Sequence, residues 1–439
     1  MPYRKAAMTQ ILPTVAAQMV ILLYNLTDTF YVGLLNNPVE SSALSVIYPF
    51  WNLLSAFNCL FGVGGAAIVA RALGKGDREE ARNASSIALW WGAVAGAAFS
   101  LLFLILAKPL LAVCGATPQN RSIVYRYILW TLVLGGPFTI VGNILSSLIR
   151  AEGDAKRASF GVTLGGVLNI LLDPLFVFPR FFGMGAEGAG IATALSNIIA
   201  FFYYLVCLLK TRDTRTISFR FEALRRTKEY LGRVTAQGSP MALQHTLGTI
   251  AVAAQTKFVS KYTVEALAAI GIVKKIDMLP LYVSLACGSA LLPILSYNQA
   301  AGNQKRCMDI YRFGLFVSVG FSTLCLVTFE LFAPALAGIF ISDAQTIAYA
   351  AAFLRRMVIA MPMMAFCNAT VSLFQAKGQP KKAAVISVLR KGVLDIPLLF
   401  LWDRLLPLYG CMWVQPTVDF IALFAALCLL RGARRETAC

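Results

Sequence analysis

The sequence predicts an all-α polytopic membrane protein with twelve transmembrane helices in two parallel six-helix repeats. Three observations predict it. Of the 439 residues, 58% are hydrophobic and only 14% charged, and the mean hydropathy of +0.69 lies beyond a soluble chain. Apolar runs of about 20 residues, enough to span a hydrocarbon core of about 30 Å, follow one another from end to end. One stretch of the first half recurs in the second.

The runs fall at 11–35, 43–70, 85–112, 123–149, 158–180, 188–210, 236–260, 265–298, 310–337, 347–374, 384–402 and 411–430. They are continuous rather than alternating, and lipid tolerates only helices or closed barrels, so each reads as a helix. The first run carries Pro13, Gln18, Asn25 and Asp28 and lacks a small-residue cleavage site, so it is expected to remain as a membrane helix rather than leave as a signal peptide. Ten scattered cysteines form no C-x-x-C pair and no metal spacing, and read as small hydrophobes. A single histidine, His245, excludes a multi-histidine metal site and argues against histidine catalysis, so no enzyme is expected.

The formal net charge is +18. Its distribution points to a membrane rather than nucleic acid, because no aromatic-interleaved basic domain exists. Alternate connections carry Arg71, Lys75, Arg78 and Arg82; then Arg150, Lys156 and Arg157; then Lys210, Arg212, Arg215, Arg220, Arg225, Arg226, Lys228 and Arg233; then Lys305 and Arg306; then Lys377, Lys381 and Lys382. Both ends are basic through Arg4, Lys5, Arg431, Arg434 and Arg435, while the intervening connections hold little beyond Arg121, Arg180, Lys261 and Arg404. By the positive-inside rule both termini face the cytoplasm, which requires an even number of spans in a cell (inner) membrane.

The stretch PFTIVGNILSSLIRAEGDAKRA, Pro137 to Ala158, aligns with PMMAFCNATVSLFQAKGQPKKA, Pro362 to Ala383, at an offset of 225, with identities at Pro137/Pro362, Asn143/Asn368, Ser147/Ser372, Leu148/Leu373, Ala151/Ala376, Gly153/Gly378, Lys156/Lys381 and Ala158/Ala383. A duplication accounts for this. Each half holds six spans, so the halves insert in the same orientation, about an axis along the membrane normal. The expected organisation is an amino-terminal lobe at 1–210, a basic cytoplasmic linker at 211–235 and a carboxy-terminal lobe at 236–439. Parallel halves are a transporter architecture, with the substrate path between them.

Polar residues inside the apolar runs carry the chemistry. Gln18, Asn25 and Asp28 are spaced by seven and three, one helix face; Asn169 and Asp173 are one turn apart. At about 1.5 Å per residue, Asp28 lies roughly 25 Å from a cytoplasmic end and Asp173 roughly 22 Å, while Thr193 lies about 8 Å from the opposite surface. These depths coincide, so Asp28, Asn169, Asp173 and Thr193 can converge as a cation-coupling set. An ionised carboxylate at the centre of a membrane helix costs about 3 kcal/mol or more, so two at one depth call for a compensating cation, H⁺ or Na⁺; for Na⁺ the metal ligands would be Asp28, Asn169 and Asp173. The bland alternative is a helix contact or a lysine partner for each acid.

In the second half Lys257, Lys274, Lys275, Arg355, Arg356, Arg390 and Lys391 face Asp277, Glu330, Asp395 and Asp419. These read as internal ion pairs and snorkelling side chains, or as a cavity favouring a substrate with an anionic part. Gln18, Asn25, Asn143, Lys274, Asp277 and Asn368 are the candidates for lining a substrate cavity. GMGAEG, Gly183 to Gly188, fits G-x-G-x-x-G but joins two spans outside any βαβ unit, and LGKGDREEA has Gly76 where a phosphate loop needs Ser or Thr, so neither ATP nor a cofactor is expected.

Together LYNLTDTFYVG, ALGKGDREEA, LIRAEGDAKRA, NILLDPLFVF, GMGAEGAGIATALSN and QAKGQPKKA resemble the multidrug and toxic compound extrusion (MATE) family over essentially the whole chain. The resemblance implies two six-helix lobes, a V-shaped central cavity, and efflux of organic, often cationic, compounds in exchange for H⁺ or Na⁺ by what is expected to be a monomer. It also implies, for the DinF-like branch, that the first-helix aspartate is Asp28, the fifth-helix pair Asn169 and Asp173, and the sixth-helix threonine Thr193. The NorM-like branch has a carboxylate in the seventh helix, where GSPMALQHTLGT offers Gly248. A lipid-linked oligosaccharide flippase of related fold is the alternative.

Overall fold

The computed structural model describes residues 1–35, 37–114, 116–211 and 215–436; Arg212, named above, and Cys439, one of the ten cysteines, lie outside them. Every regular element among these is helical: α1 (Tyr3–Gly33), α2 (Pro38–Asn58), α3 (Gly64–Lys75), α4 (Arg78–Val113), α5 (Arg121–Ile128), α6 (Gly136–Ala151), α7 (Ala155–Val177) and α8 (Gly185–Lys210), then α9 (Thr227–Val259), α10 (Val264–Ala300), α11 (Gln304–Gly338), α12 (Ala344–Met357), α13 (Met361–Ala376), α14 (Pro380–Val388), α15 (Asp395–Leu405) and α16 (Gly410–Glu436). Short π- or 3₁₀-turns join α2 to α3, α5 to α6, α12 to α13 and α14 to α15, so the helices line up as twelve rods, six in each half.

Among the described residues nine helices are long and apolar enough to cross a membrane, or ten with α5 and α6, bent by 47°, taken as one crossing. The remaining rods are α9, which carries Lys228, Glu229, Arg233, Gln237, Gln244 and His245 along its length, and the α14–α15 pair. The run 384–402, expected as one continuous helix, is broken: Lys391 (φ −139°, ψ 95°) and Gly392 (φ 146°, ψ −78°) leave the helical region. Several helices also overrun their apolar segments, as α4 and α11 do by about two turns, because helical hydrogen bonding continues into the polar interface.

The duplication is visible in the backbone. Gly76 and Gly302 both adopt φ 79°, and Gly153 and Gly378 adopt φ 93° and 73°, so all four end helices in the left-handed conformation that glycine alone takes without steric cost. The kinks repeat as well: Leu106 (φ −105°, ψ 17°) just before Pro109 in α4, and Phe332 (φ −109°, ψ 18°) just before Pro334 in α11. Proline removes a helical donor and clashes one turn back, which accounts for both.

By packing, the chain divides into one unit of Leu12–Ala242 with Ser296–Gly302 and another of Met1–Ile11, Leu243–Leu295 and Asn303–Cys439. The first unit is built on a continuous core that includes Ile47, Phe50, Ile87, Leu89, Phe103, Ile140, Ile144 and Leu148. Small residues set its closest approaches: a Cβ on Gly64 would lie 2.1 Å from the Val234 carbonyl oxygen, and one on Gly238 2.1 Å from that of Leu60. The stretch after α8 is fastened to the same unit. Glu152 Oε1 accepts from the backbone N–H groups of Thr216 (2.6 Å) and Ile217 (3.1 Å), while Arg215 reaches Glu152 (2.8 Å) and Asp154 (2.7 Å). Arg220 and Arg233 pair with Glu79 and Glu80. Acids of the two motif turns thus neutralise part of the basic linker.

The second unit has its own core around Val273, Phe353, Leu354, Val358, Cys411, Met412 and Val418. Asp343 caps α12, accepting from the Thr346 N–H at 2.8 Å and its hydroxyl at 2.7 Å.

Candidate functional site

In the first unit α1, α7 and α8 bring the four residues of the expected cation set together. A Cβ on Gly166 of α7 would meet Val20 of α1 at 2.6 Å, so only glycine there lets the two helices run this close. About two turns further along, Asp28 (9% exposed) and Asp173 (0%) face one another within reach of a shared hydrogen bond. Asn169, one turn before Asp173, donates to Thr193 Oγ1 at 3.1 Å and to Asp173 Oδ1 at 3.5 Å. Thr193 in turn donates to the Ala189 carbonyl at 2.9 Å, so its single proton is committed.

A donor count shows what is missing. Asp28 Oδ1, Asp173 Oδ2 and Asn169 Oδ1 are buried without a hydrogen-bond donor, and among the described residues neither carboxylate has an ion-pair partner. Three orphaned oxygens in one dry place suit one positive ion, whether a proton between the acids or a hard cation held by oxygen. The lysine partner of the bland reading is not there.

Sequence reading missed Tyr127. It is buried at 3% exposure, within hydrogen-bonding reach of Thr193 and electrostatic range of both carboxyls, and Gly190 on α8 leaves room for its ring. An isolated tyrosine in an apolar run carries no periodic signal that would mark it.

The substrate-cavity candidates are divided between the two units. On α1, Gln18 is half-buried and Asn25 exposed, its Nδ2 turned back to the Ile21 carbonyl at 2.8 Å, so the expected stripe of Gln18, Asn25 and Asp28 separates. Asn143 on α6 is half-buried. In the second unit Asn368 (2% exposed) is wholly engaged, donating to Ser284 at 2.8 Å and accepting from Arg390 Nη1 at 2.6 Å. Arg390 also donates to Asp419 Oδ1 at 2.6 Å, both side chains being 1% exposed. An internal ion pair of the kind expected in this half is therefore present, and Arg355 also lies 3.8 Å from Glu330. Lys274 and Asp277 lie beside it on α10.

Of the two decoys, GMGAEG forms the turn into α8 with Gly183 and Gly185 at φ 65° and 59°. The Glu40 carboxylate occupies the helix N-terminus, accepting from the Ala186 N–H at 2.7 Å; a Cβ on Gly185 would strike it at 2.8 Å. The glycine-rich turn is built around an internal acid.

Duplicated helical halves of six spans, with a buried carboxylate pair that no basic side chain among the described residues neutralises, define the class: a multi-pass membrane transporter, not an enzyme. The MatE family model matches residues 13–175 and again 240–401, once per half as a duplication requires. The chain belongs to the MatE family and is a MATE transporter. It is 25% identical over 430 residues to the multidrug export protein MepA of Staphylococcus aureus strain MSSA476, covering 98% of this chain and 94% of that one. The MepA of Staphylococcus saprophyticus is 25% identical over 418 residues, covering 95% and 91%. A mutant form of the Vibrio cholerae MATE transporter VcmN superposes with a TM-score of 0.90 at 22% identity, covering 99% of this chain and 97% of that one.

Proposed function

We propose that the protein exports small organic, drug-like compounds from the cell by antiport with H⁺ or Na⁺, and that Asp28, Asn169, Asp173, Thr193 and Tyr127 form the coupling site. The reading puts it in the cell membrane with both termini cytoplasmic, as the charge distribution favours. The MepA relatives, multidrug export proteins by name, support the transport direction and substrate class.

The observation that carries the coupling site is the set of three donorless oxygens on α1 and α7. An empty acid pair is unstable in a low-dielectric place, and one captured cation relieves the mutual repulsion, so occupancy and local conformation are linked. Each charge moved down 100 mV supplies about 2.3 kcal/mol, enough to drive accumulation when ion and substrate favour different states.

The test uses the full chain in proteoliposomes loaded with a cationic dye, under an imposed pH gradient and separately an imposed Na⁺ gradient. One gradient drives dye movement in the wild type, and D28N or D173N abolishes it while the purified variants keep the wild-type elution volume. Gradient-driven movement retained by D28N removes the coupling assignment.

A further inference from the structure

The second unit holds a charge arrangement that ion coupling at Asp28 and Asp173 does not use. Arg390 Nε pairs with Asp419 Oδ1, and Asp419 Oδ2 accepts from Gln415 Nε2 at 2.7 Å. That fixes the Gln415 amide so that its oxygen accepts from Lys391 Nζ. Lys274 Nζ donates to Thr256 Oγ1 at 2.9 Å and to the Val252 carbonyl at 3.3 Å. Both lysines therefore spend their hydrogen bonds on neutral oxygens, and among the described residues neither has a carboxylate within ion-pair distance. The two ammonium groups are in electrostatic range of one another and of Asp277, which makes no ion pair among the described residues, while the buried Asp395 accepts from the Gly392 N–H.

Depth makes this costly. Lys391 lies eleven residues along from Pro380, about 16 Å, and Lys274 lies ten residues along from Val264, about 15 Å from the opposite surface. Both sit near the middle of a core of about 30 Å, where a charged side chain marks a functional place by default. The helix is broken at the same point. Gly392 at φ 146° turns the chain, and a Cβ there would meet Leu247 at 2.6 Å; its N–H is taken by Asp395 Oδ2 at 2.8 Å, which stabilises the break. Interrupted helices of this kind form substrate sites in transporters. In addition Arg390 Nη2 is buried without an acceptor.

The geometry points to a mid-membrane subsite at Lys274, Lys391 and Arg390 Nη2 that accepts the carboxylate of a transported compound, so that the preferred substrates are zwitterions rather than simple cations. This rests on the export reading above and names the substrate class for it. A carboxylate bound there gives the two ammonium groups and the open Nη2 the ionic acceptor that their neutral hydrogen-bond partners do not provide, while the cationic end of the same molecule is left for acidic or aromatic surroundings.

The test separates the subsite from the export reading by measuring binding and flux independently. Fluorescence anisotropy with the purified full chain compares a zwitterionic xanthene dye bearing a free carboxylate with its methyl ester, which differs only in losing the negative charge. The wild type binds the free acid about tenfold more tightly than the ester, a difference K274Q and K391Q remove and K274E reverses, while K391R restores it. Equal wild-type affinity for acid and ester, or a preference that survives K274Q and K391Q in variants that elute like the wild type, overturns the subsite. A preserved preference with no gradient-driven flux in proteoliposomes overturns export and leaves the subsite standing.

Discussion

Replacing Asp419 by alanine should destabilise the second unit by about 3–5 kcal/mol, the cost of stranding one partner of a buried ion pair. The structure supplies the terms. Asp419 accepts two hydrogen bonds, from Arg390 Nε at 2.6 Å and Gln415 Nε2 at 2.7 Å, with both charged side chains 1% exposed. Its loss leaves Arg390 with only the Asn368 oxygen, since Nη2 already lacks an acceptor. A charged hydrogen bond contributes about 1.5–3 kcal/mol and an unpaired buried guanidinium adds its desolvation cost, which reaches the stated range. Equilibrium unfolding in mild detergent titrated with a denaturing one measures it, with intrinsic tryptophan fluorescence as the probe. The double variant R390M/D419L should recover most of the loss, because a well-packed apolar pair is often as stable as the buried ion pair it replaces. A D419A midpoint within about 1 kcal/mol of wild type, or a double variant no better than the single one, would refute the reasoning.

The close approach at Gly238 should fail in G238V, whose side chain meets the Leu60 carbonyl; a loss of about 2 kcal/mol or more, read as a lower detergent melting temperature, is expected. E152A should release the segment after α8, since two backbone N–H groups lose their acceptor while Arg215 keeps Asp154, so that trypsin cuts after Arg215 and Arg220 about tenfold faster with helicity unchanged. Around α12, the Thr346 hydroxyl and N–H hold the Asp343 carboxyl below its ordinary range. A carboxyl depressed in the folded state contributes stability above its unfolded pKa of about 3.9 and loses it as pH falls through the lowered value, so acid unfolding should show a component that D343A lacks.

Reading the chain alone recovers the membrane class and the duplication and anticipates the meeting of Asp28, Asn169, Asp173 and Thr193, because each rests on a signal that survives in one dimension: span length, a fixed offset, and polar residues one turn apart. Asp28 and Asp173 were legible since an acid in an apolar run has few explanations. Tyr127 was not, as an aromatic side chain in such a run packs as readily as it coordinates. The break at Lys391 and Gly392 was hidden for a related reason: the apolar run continues through it, and the fault lies in backbone angles that hydropathy does not encode. Asn25 shows the limit of face arguments, since one helix face covers both a buried acid and an exposed amide when the neighbouring helix touches only part of it. Nothing in the sequence pairs Arg390 with Asp419, because 29 residues and a chain reversal separate them.

The helices α7 and α14 begin at equivalent places, Ala155 and Pro380, so Gly165 and Gly166 of the first copy correspond to Arg390 and Lys391 of the second. In one copy the bare backbone admits a neighbouring helix and its aspartate; in the other the same register bears two positive charges on a fractured rod. After the ancestral gene doubled, each daughter was free to abandon what its sibling retained. The result is a molecule whose twin frames carry opposite electrical characters, an asymmetry that a symmetric dimer of identical subunits could never have acquired.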